Sequence, residues 1–172
     1  AVAVLDCQTP GCRTPIPLPE ALSYLQRFYP ARDLSPFKLH TRFYHFGLSS
    51  AAIAAQLRTL RPDVVGISCQ YTPYVRETAA VAALVKSLDA AIPVVVGGAH
   101  ASALPEQVLR DPHIDYVVLG EGERTIAALL DCIGRGASPE RVRGAAFKTR
   151  SGIRVNPHAE HIEDLDSLPF PA

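Results

Sequence analysis

The sequence predicts an α/β domain built on a doubly wound, five-stranded parallel sheet. Short apolar runs, such as DVVGIS at 63–68 and PVVV at 93–96, alternate with segments whose apolar residues recur at helical spacing. Strands that are apolar on both faces are typical of a parallel sheet covered by helices on each side. A length of 172 residues, 48% of them hydrophobic, suits one core of this kind.

The first half of the chain contributes two of the five predicted strands. Residues 2–5 (VAVL) form the first, buried strand, and a wide loop rich in proline, glycine and threonine follows it. A helical stripe at 18–25 comes next, and the alternating polarity of residues 37–46 predicts the second strand. A helix capped by one of the serines at 49–50 ends near Pro62, because a residue before proline avoids helical geometry.

The second half of the chain contributes the other three strands. They lie at 63–68, 93–96 and 115–119, and amphipathic helices follow them at 81–88, from Pro105, and at 126–133. After Gly136 the pattern changes to a hairpin, formed by 144–148 and 153–156, and then to an acidic tail with prolines. We therefore divide the chain into an α/β domain at 1–136 and a hairpin with a linker at 137–172, which leads to a further domain.

Composition excludes several classes of partner. Seventeen basic residues balance seventeen acidic ones, so no net positive field favours nucleic acid or an anionic membrane. The sequence contains no run of about 20 apolar residues, the length that crosses a bilayer. The four cysteines have neither the spacing of a zinc site nor the density of a disulfide framework, and no secretion signal is present. We expect a soluble, cytoplasmic protein.

The candidate binding site follows from the predicted topology. In an open parallel sheet, ligands bind beyond the carboxyl ends of the strands, where backbone N–H groups are free. The loops at this edge are 7–17, 68–73, 97–103 and 120–125. Their glycines either allow a ligand close to the backbone or only make the turn into a helix. The carboxylates of Glu121 and Glu123 could form an acid–base pair or cap a helix, and His100 could bind a ligand or serve only the loop.

Several known chemistries do not fit these loops. The GEGERT segment has Thr125 in place of the third glycine of a dinucleotide fingerprint and follows the wrong strand. A P-loop, a nucleophile elbow and a cysteine triplet for an iron–sulfur cluster are absent from the sequence. Ser68 stands where a phosphoacceptor receiver needs aspartate. The residues alone therefore indicate a binding crevice without catalytic residues.

Four ordered segments carry a resemblance to a known family. They are PDVVGIS at 62–68, PVVVGGAHASALPEQVL at 93–109, DYVVLGEGERTIAALL at 115–130 and DLDSLPFPA at 164–172. Together they resemble the N-terminal cobalamin-binding domain of B12-dependent radical S-adenosylmethionine enzymes, over residues 18–172. The resemblance implies a flavodoxin-like, Rossmann-like sheet of order 2-1-3-4-5 with a hairpin extension, placed just before a radical S-adenosylmethionine barrel.

The resemblance also implies a cofactor and the loops that hold it. Cobalamin would lie across the carboxyl edge of the sheet, ready for methyl transfer to an unactivated carbon. The barrel, in cis, would supply the 4Fe-4S cluster, S-adenosylmethionine and the site for a small-molecule or peptide substrate. The expected cofactor-binding residues are Ser68, Gln70, Tyr71 and Thr72 facing the corrin and nucleotide tail, Gly97, Gly98, Ala99 and His100 beneath that tail, and Gly120, Glu121, Gly122 and Glu123 beside the corrin side chains.

One departure from related B12 domains bears on mechanism. Methionine-synthase-like domains supply a cobalt ligand from an Asp-x-His-x-x-Gly motif, and no such string occurs in this sequence. We therefore expect no metal-ligating residue in this chain, and no catalytic one. Some relatives catalyse ring closure instead of methyl transfer.

Two alternatives remain open at the level of sequence. A flavin-binding module would use TPGCRT at 9–14 as a phosphate-cradling loop. A degenerate domain of the same enzyme class would bind no cofactor and would serve to recognise a substrate or partner. Retention of cobalamin, of FMN or of neither distinguishes the three hypotheses.

Overall fold

The chain has two compact units, Ala1–Leu60 and Arg61–Ala172. The computed structural model describes residues 1–8, 12–27 and 43–169. In the first unit, β1 (Arg13–Ile16) pairs antiparallel with β2 (Phe43–Phe46), and a 3₁₀ helix covers Glu20–Arg27. Helix α1 (Ser50–Leu60) completes the described part of this unit.

Two expectations for the first unit are confirmed. The hydroxyl of Ser49 accepts the Ala52 N–H at 3.2 Å, which caps α1 as predicted. The helix ends before Pro62, and Arg61 has a positive φ of 46°. A strand is present at β2 within the predicted second strand, but it pairs antiparallel with β1 in a two-stranded sheet instead of joining a parallel sheet; residues 37–42 of that prediction lie outside the described residues.

The predicted first strand is wrong in this structure. Residues 2–5 form no strand, and Val2 and Val4 are 94% and 92% exposed. An apolar run becomes a buried strand only if a neighbouring strand and a covering layer exist, and the described structure provides neither here. The predicted wide loop instead contains β1, whose four residues are exposed and include Pro15.

The second unit carries a five-stranded sheet in the order β3-β4-β5-β6-β7. Strands β3 (Val65–Ser68), β4 (Val94–Gly97) and β5 (Tyr116–Val118) are parallel. Strands β6 (Ala145–Thr149) and β7 (Gly152–Val155) form the predicted hairpin, and β6 pairs antiparallel with β5. The helices of this unit are α2 (Val75–Leu88), α3 (Ala99–Ala103), α4 (Pro105–Leu109) and α5 (Glu123–Gly134).

The sheet is therefore mixed rather than wholly parallel, which corrects the sequence prediction. Ala145 and Ala146 are fully buried and Phe147 is nearly so, which shows that β6 is an inner strand and not an appendage. The apolar residues of β6 need packing on both faces of the strand, and β6 obtains it by pairing with β5 inside the sheet. The order 2-1-3-4-5 is not seen among the described residues, which contain only its consecutive part β3-β4-β5.

The core lies around the central strands of this sheet. All three valines of β4 are buried, as are Val117 in β5, Val85 in α2 and Leu129 in α5. Strand β3 is only partly buried because it lies at the edge of the sheet. In the part of the chain that the structure describes, no helix has the length and apolar character needed to cross a membrane.

At the amino end of the sheet, Lys86 connects helix α2 with the segments that lead into β4 and β5. The Lys86 ammonium lies 2.7 Å from an Asp115 carboxylate oxygen and donates to the Ile92 carbonyl at 2.7 Å. The same carboxylate accepts the Val94 N–H at 2.8 Å. This network ties α2 to β4 and to the start of β5.

Candidate functional site

The loops after β3 and β4 are joined through their backbones. The Cys69 N–H donates to the Gly97 carbonyl at 2.7 Å, and the His100 N–H donates to the Cys69 carbonyl at 3.2 Å. Both loops leave the carboxyl edge of the sheet, where the sequence predicted the site. The residues expected to face a cofactor from these two loops are therefore brought together.

Gly98 makes this close approach possible. Its φ is 108°, in a region of backbone conformation that residues other than glycine rarely adopt. A Cβ at this position would lie 2.7 Å from the Cys69 carbonyl oxygen and 3.1 Å from the Gln70 nitrogen. Gly98 therefore both precedes α3 and allows the neighbouring loop to approach, and a role in ligand binding stays a prediction.

Two side-chain contacts connect the same loops. The Thr72 hydroxyl lies 3.0 Å from His100 Nδ1, and the Gln70 side-chain oxygen accepts the Ala99 N–H at 3.3 Å. His100 is only 4% exposed. Its Nε2 is a buried polar atom without a hydrogen-bond partner among the described residues. A buried polar nitrogen left without a partner costs about 1–3 kcal/mol, so it is a natural contact for a bound group.

The loop after β5 joins this edge through a residue that the sequence did not single out. The Gly120 N–H donates to the Ser102 hydroxyl at 2.9 Å, which links the loop to α3. Gly120 has a φ of 63°, and a Cβ on Gly122 would lie 3.3 Å from a Val118 methyl carbon. Ser102 lies in the predicted loop 97–103 but was not among the expected binding residues, because only the packing of α3 beside β5 shows its partner.

Glu121 contacts the C-terminal tail. Its carboxylate accepts the Ile162 N–H at 2.8 Å and lies 3.2 Å from His161 Nδ1. The hydrogen bond from the Ile162 backbone, and then that from His161, lowers the pKa of Glu121 below its ordinary value. Ile162 is 7% exposed, so the tail is anchored by an apolar side chain as well. Glu123, two residues on, begins α5.

Exposed apolar side chains surround these loops. Tyr71 and Tyr74 follow β3 and stack edge to face, with ring centroids 6.1 Å apart, and Leu104 follows α3. Tyr71 is 66% exposed, and the other two are also open to solvent. Exposed rings beside a crevice are a common lining of ligand sites. Tyr74 and Leu104 were not predicted, since single exposed apolar residues give no sequence signal.

The residues that the structure describes contain no group of three or more His, Cys, Asp or Glu side chains that could hold a metal ion. All four cysteines are free. Of the segment 9–14 that the flavin hypothesis used, only 12–14 is described, and Arg13 and Thr14 belong to strand β1 rather than to a phosphate-cradling loop.

The fold and this edge define an α/β cofactor-binding domain, with its crevice at the carboxyl ends of parallel strands. The B12 binding domain family matches residues 25–130 of the chain. The chain therefore belongs to the B12-binding domain family.

Curated relatives carry this domain within larger enzymes. The chain is 32% identical over 126 residues to an uncharacterized methyltransferase of Pyrococcus horikoshii. This match covers 73% of the chain and 27% of that protein. It is 31% identical over 155 residues to cytidylyl-2-hydroxyethylphosphonate methyltransferase of Streptomyces wedmorensis, with 76% and 28% covered. An anaerobic magnesium-protoporphyrin IX monomethyl ester cyclase of Rubrivivax gelatinosus is 32% identical over 126 residues, with 70% and 22% covered. The chain thus spans about a quarter of the length of these relatives.

Solved structures show the same architecture. The radical S-adenosylmethionine methyltransferase TsrM of Kitasatospora setae, solved with cobalamin and a 4Fe-4S cluster, is 26% identical. Its TM-score is 0.56, over 66% of this chain and 22% of that one. The cobalamin-dependent radical enzyme OxsB is 22% identical, with a TM-score of 0.55 over 66% of this chain and 16% of its own, and it supports the fold alone.

Proposed function

We propose that this chain is the cobalamin-binding domain of a B12-dependent radical S-adenosylmethionine enzyme. The observation that carries the proposal is the joined pair of loops after β3 and β4, with Gly98 at their contact. Family membership and the similarity to a cobalamin-bound methyltransferase support the choice of ligand.

The proposed binding residues fall into groups with different roles. Gly97, Gly98 and Ala99 let a ligand approach the backbone closely, while Gln70 and Thr72 hold that loop in position. Tyr71 offers an exposed ring to the macrocycle, with Ser68 beside it at the end of β3. On the far side we propose Gly120, Glu121, Gly122 and Glu123, of which Glu121 also holds the tail.

His100 is proposed as a ligand contact rather than a cobalt ligand. Its Nδ1 is already engaged by Thr72, and its buried Nε2 is the free atom. A hydrogen bond from this atom to a bound ligand would remove the cost of an unpartnered buried nitrogen. When bound, cobalamin supplies the methyl group for the transfer, and the chain's own residues bind and orient it.

We also propose the organisation of the whole protein. The α/β part, 1–136, and the hairpin with its linker, 137–172, would precede a radical S-adenosylmethionine barrel in cis that carries the 4Fe-4S cluster, S-adenosylmethionine and a small-molecule or peptide substrate. The length of the relatives supports a further domain, because the chain spans only 27% of the Pyrococcus protein. The free state of the four cysteines supports a reducing, cytoplasmic location.

The flavodoxin-like order 2-1-3-4-5 is a further part of the proposal. It needs a neighbour beyond β3, and the described residues leave that edge of the sheet unpaired. Because the Val65 N–H donates to Pro93 in the strand-pairing direction, the Gly66 N–H points to the open side. Slow hydrogen exchange at Gly66 in the full-length protein would support the order, and fast exchange would contradict it.

The binding test compares two cofactors on the same chain. The purified protein is incubated with hydroxocobalamin or with FMN, desalted, and its absorption spectrum recorded. We expect retention of about one equivalent of cobalamin and no FMN. Retention of FMN alone would overturn the proposal in favour of a flavin module, and retention of neither by the full-length protein would favour a domain that only recognises a partner.

A further inference from the structure

A pocket in the second unit has no role in the proposed cobalamin site. It lies between α5 and residues 141–143, just before β6, and has a volume of about 320 Å³. We propose that this pocket binds a small phosphate-bearing molecule, through the guanidinium groups of Arg124, Arg141 and Arg143.

Charge is the first argument. Four arginines and one aspartate line the pocket. Arg135 is paired with Asp131, with Nη2 3.0 Å from the carboxylate and Nε 3.1 Å from the Asp131 carbonyl oxygen. Among the residues that the structure describes, the other three arginines form no salt bridge, although the charge of Arg124 acts on Glu121 from a distance. Because the chain as a whole has no net charge, this excess of positive charge is local.

Rigidity is the second argument. Val142 is buried, whereas its neighbours Arg141 and Arg143 are exposed. The Asn156 amide donates to the Val142 carbonyl at 2.8 Å and to the Pro139 carbonyl at 2.9 Å, and it is itself buried. A binding segment held in place before the ligand arrives loses little entropy on binding.

The helix side of the pocket is fixed to the same segment. The Thr125 hydroxyl donates to the Arg143 carbonyl at 3.1 Å. A Cβ on Gly144 would lie 2.7 Å from that hydroxyl oxygen, and the glycine has a φ of 76°, so the contact requires glycine. Arg124 lies in the first turn of α5, where the helix dipole adds to its positive charge.

These features favour a small phosphate compound over other anions. Guanidinium groups form paired hydrogen bonds with phosphate oxygens, and three of them suit a group with several negative charges. A nucleic acid would need positive charge along an extended surface, which a chain without net charge does not offer. The ligand class is therefore a diphosphate or a nucleotide-like molecule.

The test uses inorganic pyrophosphate and isothermal titration at low salt. We expect saturable binding at one site, and at least tenfold weaker binding in the double variant Arg141→Gln/Arg143→Gln. Arg124→Gln is measured beside it, with circular dichroism for each, so that a folding defect in one variant does not decide the result. Arg150→Gln is the matched control, because Arg150 is exposed and lies outside the pocket.

Three outcomes would overturn the inference. The first is that the wild type shows no saturable binding of pyrophosphate. The second is that the wild type and both pocket variants bind pyrophosphate equally well. The third is that a short DNA duplex binds more tightly than pyrophosphate or AMP. Cobalamin retention is measured on the same samples. It should be unchanged in Arg141→Gln/Arg143→Gln, whose residues lie outside the proposed cobalamin-binding set, so the failure of this inference and the failure of the proposed function are distinguishable.

Discussion

Replacement of Gly98 by alanine changes one atom at the contact between the two joined loops. The new Cβ would lie 2.7 Å from the Cys69 carbonyl oxygen, and the residue would have to keep a φ of 108°. A strained backbone of this kind costs about 1–3 kcal/mol, and the loops must separate to relieve the overlap. If about 2 kcal/mol of this strain destabilises the loop arrangement that binds cobalamin, the affinity for cobalamin drops about 30-fold.

The assay is equilibrium binding of hydroxocobalamin, followed by its absorption spectrum. Gly134→Ala is the matched control, because a Cβ there meets nothing within 4 Å and the residue ends α5 away from the loops. We expect the control to bind like the wild type, and both variants to keep the wild-type circular dichroism spectrum. Equal affinity of Gly98→Ala and the control would refute the reasoning, because the loop contact would then have no part in binding.

Three further predictions follow from the described contacts. Leu129→Ala, which empties a fully buried position in α5, should lower the free energy of unfolding by about 2–5 kcal/mol in urea titration; a loss below about 1 kcal/mol would mean that the core is misplaced. Glu121→Ala should speed hydrogen exchange at the Ile162 amide, while Glu123→Ala should not, and equal rates in both would contradict the proposed anchor. Since hydrogen bonds to the ionised carboxylate lower the pKa of Glu121, this protection should be complete above the pKa of an ordinary glutamate and be lost as the pH falls through the lowered pKa; protection that increases on acidification would have the wrong sign.

The strands at the centre of the sheet were predictable because burial alone specifies them. Strand β4 has valine at three consecutive positions, so both of its faces are apolar, and in the structure all three valines are buried. Helix α5 was predictable for a related reason, since Ile126, Leu129 and Ile133 recur at helical spacing and pack against the same core.

Other parts of the fold depend on partners that are distant in sequence. The apolar residues 2–5 suggested a buried strand, but an apolar run does not say which strand it pairs with, and within the described part of the chain it pairs with none. The hairpin of β6 and β7 was expected from its local pattern. That β6 pairs with β5 was not, because its register, with Tyr116 opposite Phe147, joins segments about 30 residues apart.

For the candidate site, topology and glycine spacing selected loops at the carboxyl edge of the parallel strands, where ligands bind in such sheets. The structure brings these loops together, and their binding role stays a prediction. The contacts within the edge, such as Ser102 with Gly120 and Glu121 with Ile162, join polar residues whose role depends only on what packs beside them. No spacing rule in a single sequence marks such residues.

The most direct test of the central claim is hydrogen exchange with and without hydroxocobalamin. We predict that cobalamin protects the backbone amides of residues 69–72, 98–102 and 119–123, while the turn between β6 and β7 exchanges at the same rate in both samples. Protection confined to other segments, or no protection at saturating cobalamin, would contradict the placement of the cofactor at the carboxyl edge of β3, β4 and β5.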